Sequence, residues 1–221
     1  MKANEKGFSL VELIVSMAIL MIAGVAMLGF FSYCVNQYTR SSQETALQIE
    51  TQTTQNQIRE LILQTNVGIA LNPVKNADGN DRSGRQLLLY SWDNNGDPVR
   101  IRIDIDYTGH TLYFQEFGMD RELARKEQNG LTVSDNEVWS IVRSEKQVLA
   151  SNVEDWEVTL YDAKGDPITD TSGINVPEPK EAKIWIQNRV NDREYEATHA
   201  VSIRNSICAS DKMSRDVFSE E

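Results

Sequence analysis

Histidine is nearly missing from this chain: His110 and His199 are the only two among 221 residues. Neither stands in an HExxH pattern, and there is no glycine-rich phosphate loop and no nucleophile elbow. The usual carriers of hydrolysis, phosphoryl transfer and metal-assisted catalysis are therefore not in evidence. Acidic side chains are plentiful, but no pair stands out for acid–base work, so the chain reads as a non-enzyme that needs no cofactor. Cysteine is equally scarce. Cys34 and Cys208 form no Cys-x-x-Cys or Cys/His cluster that would hold a metal. Basic charge is short as well: 22 Lys and Arg stand against 33 Asp and Glu, a formal net charge of -11 and a pI of about 4.7. That argues against direct nucleic-acid binding through a broad basic face.

Two local absences say more. Residues 36–66 contain no proline and no glycine, and from Phe8 to Val35 Glu12 is the one charged residue. About 28 helical residues rise about 42 Å, and about 20 apolar residues cross a bilayer, so residues 8–35 are expected to span a membrane. A carboxylate in such a span costs roughly 2.5–3.5 kcal/mol on insertion scales and marks a functional position. It either snorkels to the headgroups or pairs with a partner. Lys2 and Lys6 precede the span and no basic residue follows until Arg40. The positive-inside rule then places the N-terminus in the cytoplasm and the acidic remainder outside. There a disulfide is permitted, so Cys34 and Cys208 are either two independent thiols or one bridge. Gly24, Ala26 and Gly29 allow close helix approach or weaken the helix, but do not form GxxxG.

The stretch Gly7-Phe8-Ser9-Leu10-Val11-Glu12-Leu13, with the apolar run behind it, resembles the processing site of type IV prepilins and of the prepilin-like pseudopilins of secretion and competence machines. The resemblance implies cleavage after Gly7 by the prepilin peptidase, N-methylation of Phe8, and an assembly role for Glu12. It covers residues 6–13 closely. The retained apolar run distinguishes the leader from an ordinary secretory signal, whose apolar core is removed. A Phe8 amine and a Glu12 carboxylate at membrane depth would each be costly alone. Pairing across neighbouring subunits lowers that cost and fixes register.

Beyond the span, Val35, Tyr38, Ser42, Ala46, Ile49, Thr53, Ile58, Leu61 and Ile62 make an apolar stripe at helical spacing, with Gln43, Gln48, Glu50, Gln55 and Arg59 opposite. Gly68 and Pro73 end the helix. Residues 76–84 are a loop by composition. Gln86–Trp92 and Val99–Ile105 read as strands around the turn Asn94–Asp97, the second with Arg100 and Arg102 on a wet face. Thr111–Glu116 is a further strand, residues 119–129 a short charged helix or loop, and Glu137–Arg143, Gln147–Ala150 and Val153–Asp162 more strands. Thr169–Lys180 is a loop, and Lys183–Val190 pairs with Glu194–Arg204 across Asn191-Asp192. Trp92, Trp139, Trp156 and Trp185 fall on strand candidates as packing residues. Asp93, Asn95 and Asp97, and Asp78, Asn80 and Asp81, are oxygen-rich turns. They lack EF-hand spacing but could hold calcium.

The expected fold is α+β and pilin-like: a long N-terminal helix packed on an antiparallel β-sheet meander. The expected divisions are a cleaved leader at 1–7, a transmembrane helix at 8–35, an amphipathic outer helix at 36–70, a β-rich domain at 71–205 and a polar, frayed tail at 206–221. The expected role is a structural assembly subunit, a minor pilin or pseudopilin, in the cell membrane or a filament. Its partners would be other pilin or pseudopilin subunits, the prepilin peptidase and the inner or cytoplasmic membrane. The competing reading is a single-pass anchored domain that binds or senses a ligand outside and never polymerises.

Overall fold

The structure is a computed structural model that describes residues 9–75, 81–128, 135–169, 171, 176–190, 193–204 and 207–209. They divide into two compact units, Met1–Ala46 and Leu47–Glu221. Helix α1, Leu10–Gln64, supplies the first unit and enters the second. The strands are β1 (Gly68–Lys75), β2 (Asp81–Trp92), β3 (Pro98–Asp106) and β4 (Thr111–Gly118). After the helices α2 (Arg121–Gln128) and α3 (Asp135–Val138) come β5 (Ile141–Val142), β6 (Gln147–Ala150), β7 (Val153–Tyr161), β8 (Pro167–Ile168), β9 (Glu181–Val190) and β10 (Arg193–Ser202).

A long helix followed by antiparallel sheet is thus the α+β, pilin-like architecture. The strands form two sheets rather than one. The first runs β1-β2-β3-β4-β5, with β6 also on β4; the second runs β10-β9-β7-β8. Gly68 does not merely stop the helix but starts β1, which pairs with β2 from Gly68 opposite Tyr90 onward. The helical part therefore ends at Gln64, short of residue 70. The loop assigned to 76–84 gives way to strand from Asp81, where pairing with β1 resumes; 76–80 lie outside the described residues. Glu137–Arg143 is not one strand: α3 takes its start and β5 keeps two residues, so Trp139 follows a helix turn.

The core of the second unit explains the arrangement. On one face of the first sheet, Ile69, Leu87, Leu89 and Ile103 join Ile58 and Ile62 of α1, and Trp156, Val158, Ile184 and Ile186 of the second sheet, in one buried cluster. The other face of the first sheet is also covered. Ala70, Leu88, Tyr90 and Phe117 pack against Met119, Ala124, Val138 and Trp139. Arg100, expected on a wet face, is therefore 2% exposed. Its guanidinium lies 5.4 Å from the Trp139 ring and 5.5 Å from Phe117, and Arg102 lies 4.7 Å from Phe117. A delocalised, weakly hydrated guanidinium tolerates such buried stacking better than a lysine ammonium does.

The helical stripe also needs correction. Within Leu47–Gln64 the buried residues are Leu47, Thr51, Thr54, Gln55, Ile58 and Ile62, whereas Ile49 is exposed. Gln55, expected on the solvent side, faces inward because its amide serves strand carbonyls. Finally, the segment after Asn205 does not simply fray. Ile207 and Ala209 are buried, and Cys208 bridges to Gly68, accepting from the Ile69 amide at 2.9 Å and donating to the Val67 carbonyl at 3.1 Å.

Candidate functional site

The first unit presents an apolar surface with a defined start. Ser9 is the N-cap of α1. Its carbonyl accepts the Leu13 amide at 3.2 Å, and its own amide donates to Glu12 Oε2 at 3.3 Å. This is the acidic half of a capping box, in which a carboxylate at the third helical position reaches back to the N-cap amide. The carboxylate also sits at the positive end of the helix dipole. Ser-x-x-Glu was readable as a cap in the sequence, but the expectation for Glu12 rested on its place in the apolar run and on the prepilin resemblance, not on capping. Gly7 and Phe8 lie outside the described residues.

Behind the cap, the side chains of the most apolar stretch are all exposed. Leu10 is 74% and Phe30 71% accessible, and no part of the most apolar window is buried. Contiguous apolar surface on that scale needs a covering phase, either lipid or other protein. The helix satisfies its own backbone, as a membrane span must. Ser16 returns a hydrogen bond to the Glu12 carbonyl at 2.7 Å, and Thr39 to the Val35 carbonyl at 3.0 Å. Polar side chains in and just beyond the run thus bond locally. Gly24 and Gly29 have nothing within 4 Å of where a Cβ would stand, so neither is needed for packing inside this chain.

Of the other sequence candidates, Cys34 lies in the first unit and the rest described here in the second. Asp93 and Asp162 build twin loops, Asp93-Asn-Asn-Gly-Asp97 and Asp162-Ala-Lys-Gly-Asp166. In each, the first carboxylate accepts two amides of its own turn at 2.8–2.9 Å, and a glycine at φ 77° or 86° closes the bend. Those amide bonds, led by the Asp97 and Asp166 N–H groups, hold both carboxyls below the usual range, and Arg143 assists at Asp93. Arg143 contacts Asp93 at 2.7 Å and Asp97 at 3.6 Å. The Asp93 and Asp97 carboxylates, read as turn residues that could hold calcium, thus serve as turn acceptor and arginine partners. Among the described residues no group of three His, Cys, Asp or Glu is placed to hold a metal. Asp78 and Asn80 lie outside the described residues. Cys34 is an exposed thiol, and Cys208 Sγ lies 3.3 Å from the Val67 carbonyl oxygen as a donor. His110, at φ 49°, faces Glu154 at 3.8 Å, and His199 lies on β10.

Comparison with curated proteins finds no match. The pattern described as the prokaryotic N-terminal methylation motif does match, at residues 2–28. The match spans the polar N-terminal residues, the Ser9–Glu12 cap and most of the exposed apolar run. This chain thus carries the type IV prepilin-like signature on a helix long and apolar enough to anchor it in a membrane.

Proposed function

We propose that the chain is a structural assembly subunit of a pilus, secretion or DNA-uptake filament, of the minor pilin or pseudopilin kind. The observation that carries this reading is the methylation motif at 2–28 laid over an exposed apolar helix with a single carboxylate. Prepilin peptidase would cut after Gly7, removing leader 1–7, and Phe8 would carry the methylated amine. Residues 8–35 would hold the subunit in the membrane with the N-terminus cytoplasmic and the second unit outside. On entry into the assembly, the same apolar surface would exchange lipid for neighbouring helices. The Phe8 amine of one subunit would meet Glu12 of the next, two costly charges neutralised together. The motif marks a structural protein rather than a catalyst.

Intact-mass analysis of membrane-extracted protein tests this. The expected mature chain begins at Phe8 with one added methyl, and Gly7→Val blocks the cut. A chain still starting at Met1 in cells that hold the peptidase would overturn the proposal and favour an anchored domain that does not polymerise.

A further inference from the structure

The edge of a sheet is a row of unpaired amides and carbonyls, a template for another strand unless it is covered, cut short or bent. Three edges here are closed or short. On β1, the Cys208 carbonyl takes the Ile69 amide at 2.9 Å, and Thr171 Oγ1 takes the Leu71 amide at 3.0 Å and donates to the Leu71 carbonyl at 2.9 Å. Beyond β4, β5 has two residues and β6 four. β8 has two and begins with Pro167. β10 is different. It runs ten residues in unbroken register with β9, without proline, lysine or bulge, and among the described residues no strand lies on its other side. The bonding direction follows from two flanking bonds. The Ile203 amide donates to the Lys180 carbonyl at 2.8 Å, so the odd residues of β10 face β9. The Arg189 amide donates to the Asn152 carbonyl at 2.8 Å, toward β7, which leaves the even residues of β9 to bond β10. Both bonds give the same phase. The backbone groups of Glu194, Glu196, Thr198, Ala200 and Ser202 therefore point outward, and among the described residues they meet no partner. The five side chains are exposed.

A second copy of this chain does not fit that edge. Within the second unit α1 runs alongside β10 in the same sense: Thr51 bonds Asn188, which stands opposite Tyr195, Gln55 bonds the Ala197 carbonyl, and Ile62 and Ile203 line one hollow. A two-fold contact between two β10 edges is antiparallel and sets the two α1 segments running oppositely, against a common membrane anchorage. The copy's other edges are closed or too short to match ten residues. The edge also carries a charge without an answer. Arg189 holds Glu194 at 2.9 Å, but Glu196 makes no ion pair among the described residues, and across the β9 ladder it faces Gln187. We propose that β10 receives an extended segment of a different protein, which adds an antiparallel strand and sets a lysine or arginine opposite Glu196. Backbone bonds would supply the affinity, and the facing side chains the choice of partner. The chain's net charge of -11 favours the approach of a basic segment. The exclusion of a second copy rests on the membrane-anchored reading above.

The test uses the full chain in nanodiscs and the peptide acetyl-Thr-Val-Thr-Val-Thr-Val-Lys-Val-Thr-amide, whose lysine falls opposite Glu196 when its first residue faces Ser202. Saturable binding by fluorescence anisotropy is expected, with slowed hydrogen exchange across Arg193–Ser202. N-methylation of the third and fifth peptide residues removes two amides from the new ladder and should abolish binding. Replacing the peptide lysine with glutamate should weaken binding about fivefold, and Glu196→Lys in the chain should reverse that preference. Thr198→Pro removes one outward amide and leaves the β9 ladder whole, as proline on an edge strand does. It should weaken binding about tenfold; the N-methylated peptide keeps the test decisive if this variant folds poorly. No saturable binding, equal binding of the N-methylated peptide, or no reversal in a folded Glu196→Lys chain would overturn the proposal. So would protection of Arg193–Ser202 by chain association without peptide, which would make the occupant a second copy. Cleavage and methylation at Phe8 are measured separately, so failure here leaves the assembly reading untouched.

Discussion

Gln55 Nε2 donates to the Ala197 carbonyl of β10 at 2.9 Å and to the Ile184 carbonyl of β9 at 3.3 Å, tying α1 to the second sheet through one amide. Around it, Asn188 Nδ2 donates to Thr51 Oγ1 at 2.8 Å, Thr54 Oγ1 reaches the Leu149 carbonyl at 3.2 Å, and Glu50 Oε1 accepts the Ser151 amide at 2.8 Å. Between the buried Leu47 and Ile58, α1 is held to the strands by a polar seam, and its packing into the main apolar cluster starts at Ile58. Gln55→Met, which keeps the shape but removes both donors, is expected to cost about 1–3 kcal/mol. Chemical unfolding of the full chain in micelles measures it; a loss below a few tenths would show that water replaces the amide without penalty.

The buried residues of α1 in the second unit begin at Leu47. A chain starting at Asn36, without the apolar run, should therefore fold and stay soluble. Its circular dichroism should combine helix and strand, and a largely disordered spectrum would place a necessary part of the core upstream or in a partner.

Gly118 leaves room for Arg143. A Cβ at that position would stand 2.9 Å from Arg143 Nε, pushing the guanidinium away from Asp93. Gly118→Ala should destabilise by about 1–3 kcal/mol, as overpacking does. In an Arg143→Ala background the same change should cost much less, since the crowded atom is gone. Equal costs in both backgrounds would place the strain on the backbone instead.

Acid should act on the turn carboxylates and on Asp104 with opposite signs. Amide hydrogen bonds hold Asp93, Asp106 and Asp162 below the ordinary value of 3.8. Their stabilising contribution is complete above that value and is lost as pH falls through the lower folded values. Burial pushes Asp104 up, against the Gln86 amide bond at 2.8 Å. Its ionised form costs stability above the raised value, and that cost disappears on acidification. Asp162→Asn should therefore be destabilising at pH 7 and nearly silent near the bottom of the carboxylate range. Asp104→Asn should be neutral to stabilising at pH 7, with any gain shrinking in acid. Thermal melts of both variants across that range decide it.

Glu12 has two separable duties. Its capping bond to Ser9 is local and replaceable by water at the membrane surface, so Glu12→Leu should leave insertion and cleavage after Gly7 near normal. The proposed pairing with a neighbour's Phe8 amine is not replaceable inside an assembly. Breaking one side of a buried pair costs about 3–5 kcal/mol, which is about two to three and a half decades in an assembly equilibrium. The variant should thus be processed and membrane-resident but absent from the assembly, as co-purification with other subunits would show. Incorporation at wild-type level would leave Glu12 with its capping role alone.

The sequence by itself determined the features that depend on local order. The apolar run from Phe8 to Val35 with its one carboxylate, the long breaker-free helix, the alternation of Val99, Ile101, Ile103 and Ile105, the turn at Asn94–Asp97 and the pairing of β9 with β10 are all written in neighbouring residues, because span length, strand period and turn chemistry are short-range properties. The tertiary structure decided which faces were wet. Arg100 became core because α3 brought Trp139 over it, and Gln55 turned inward because strand carbonyls distant in sequence needed a donor. Ile207 and Ala209 were buried because Cys208 docked beside β1. The strands divided into two sheets for the same reason: α1 and the first sheet's core face required a second apolar layer, and only the folded chain shows that β7 and β9 supply it.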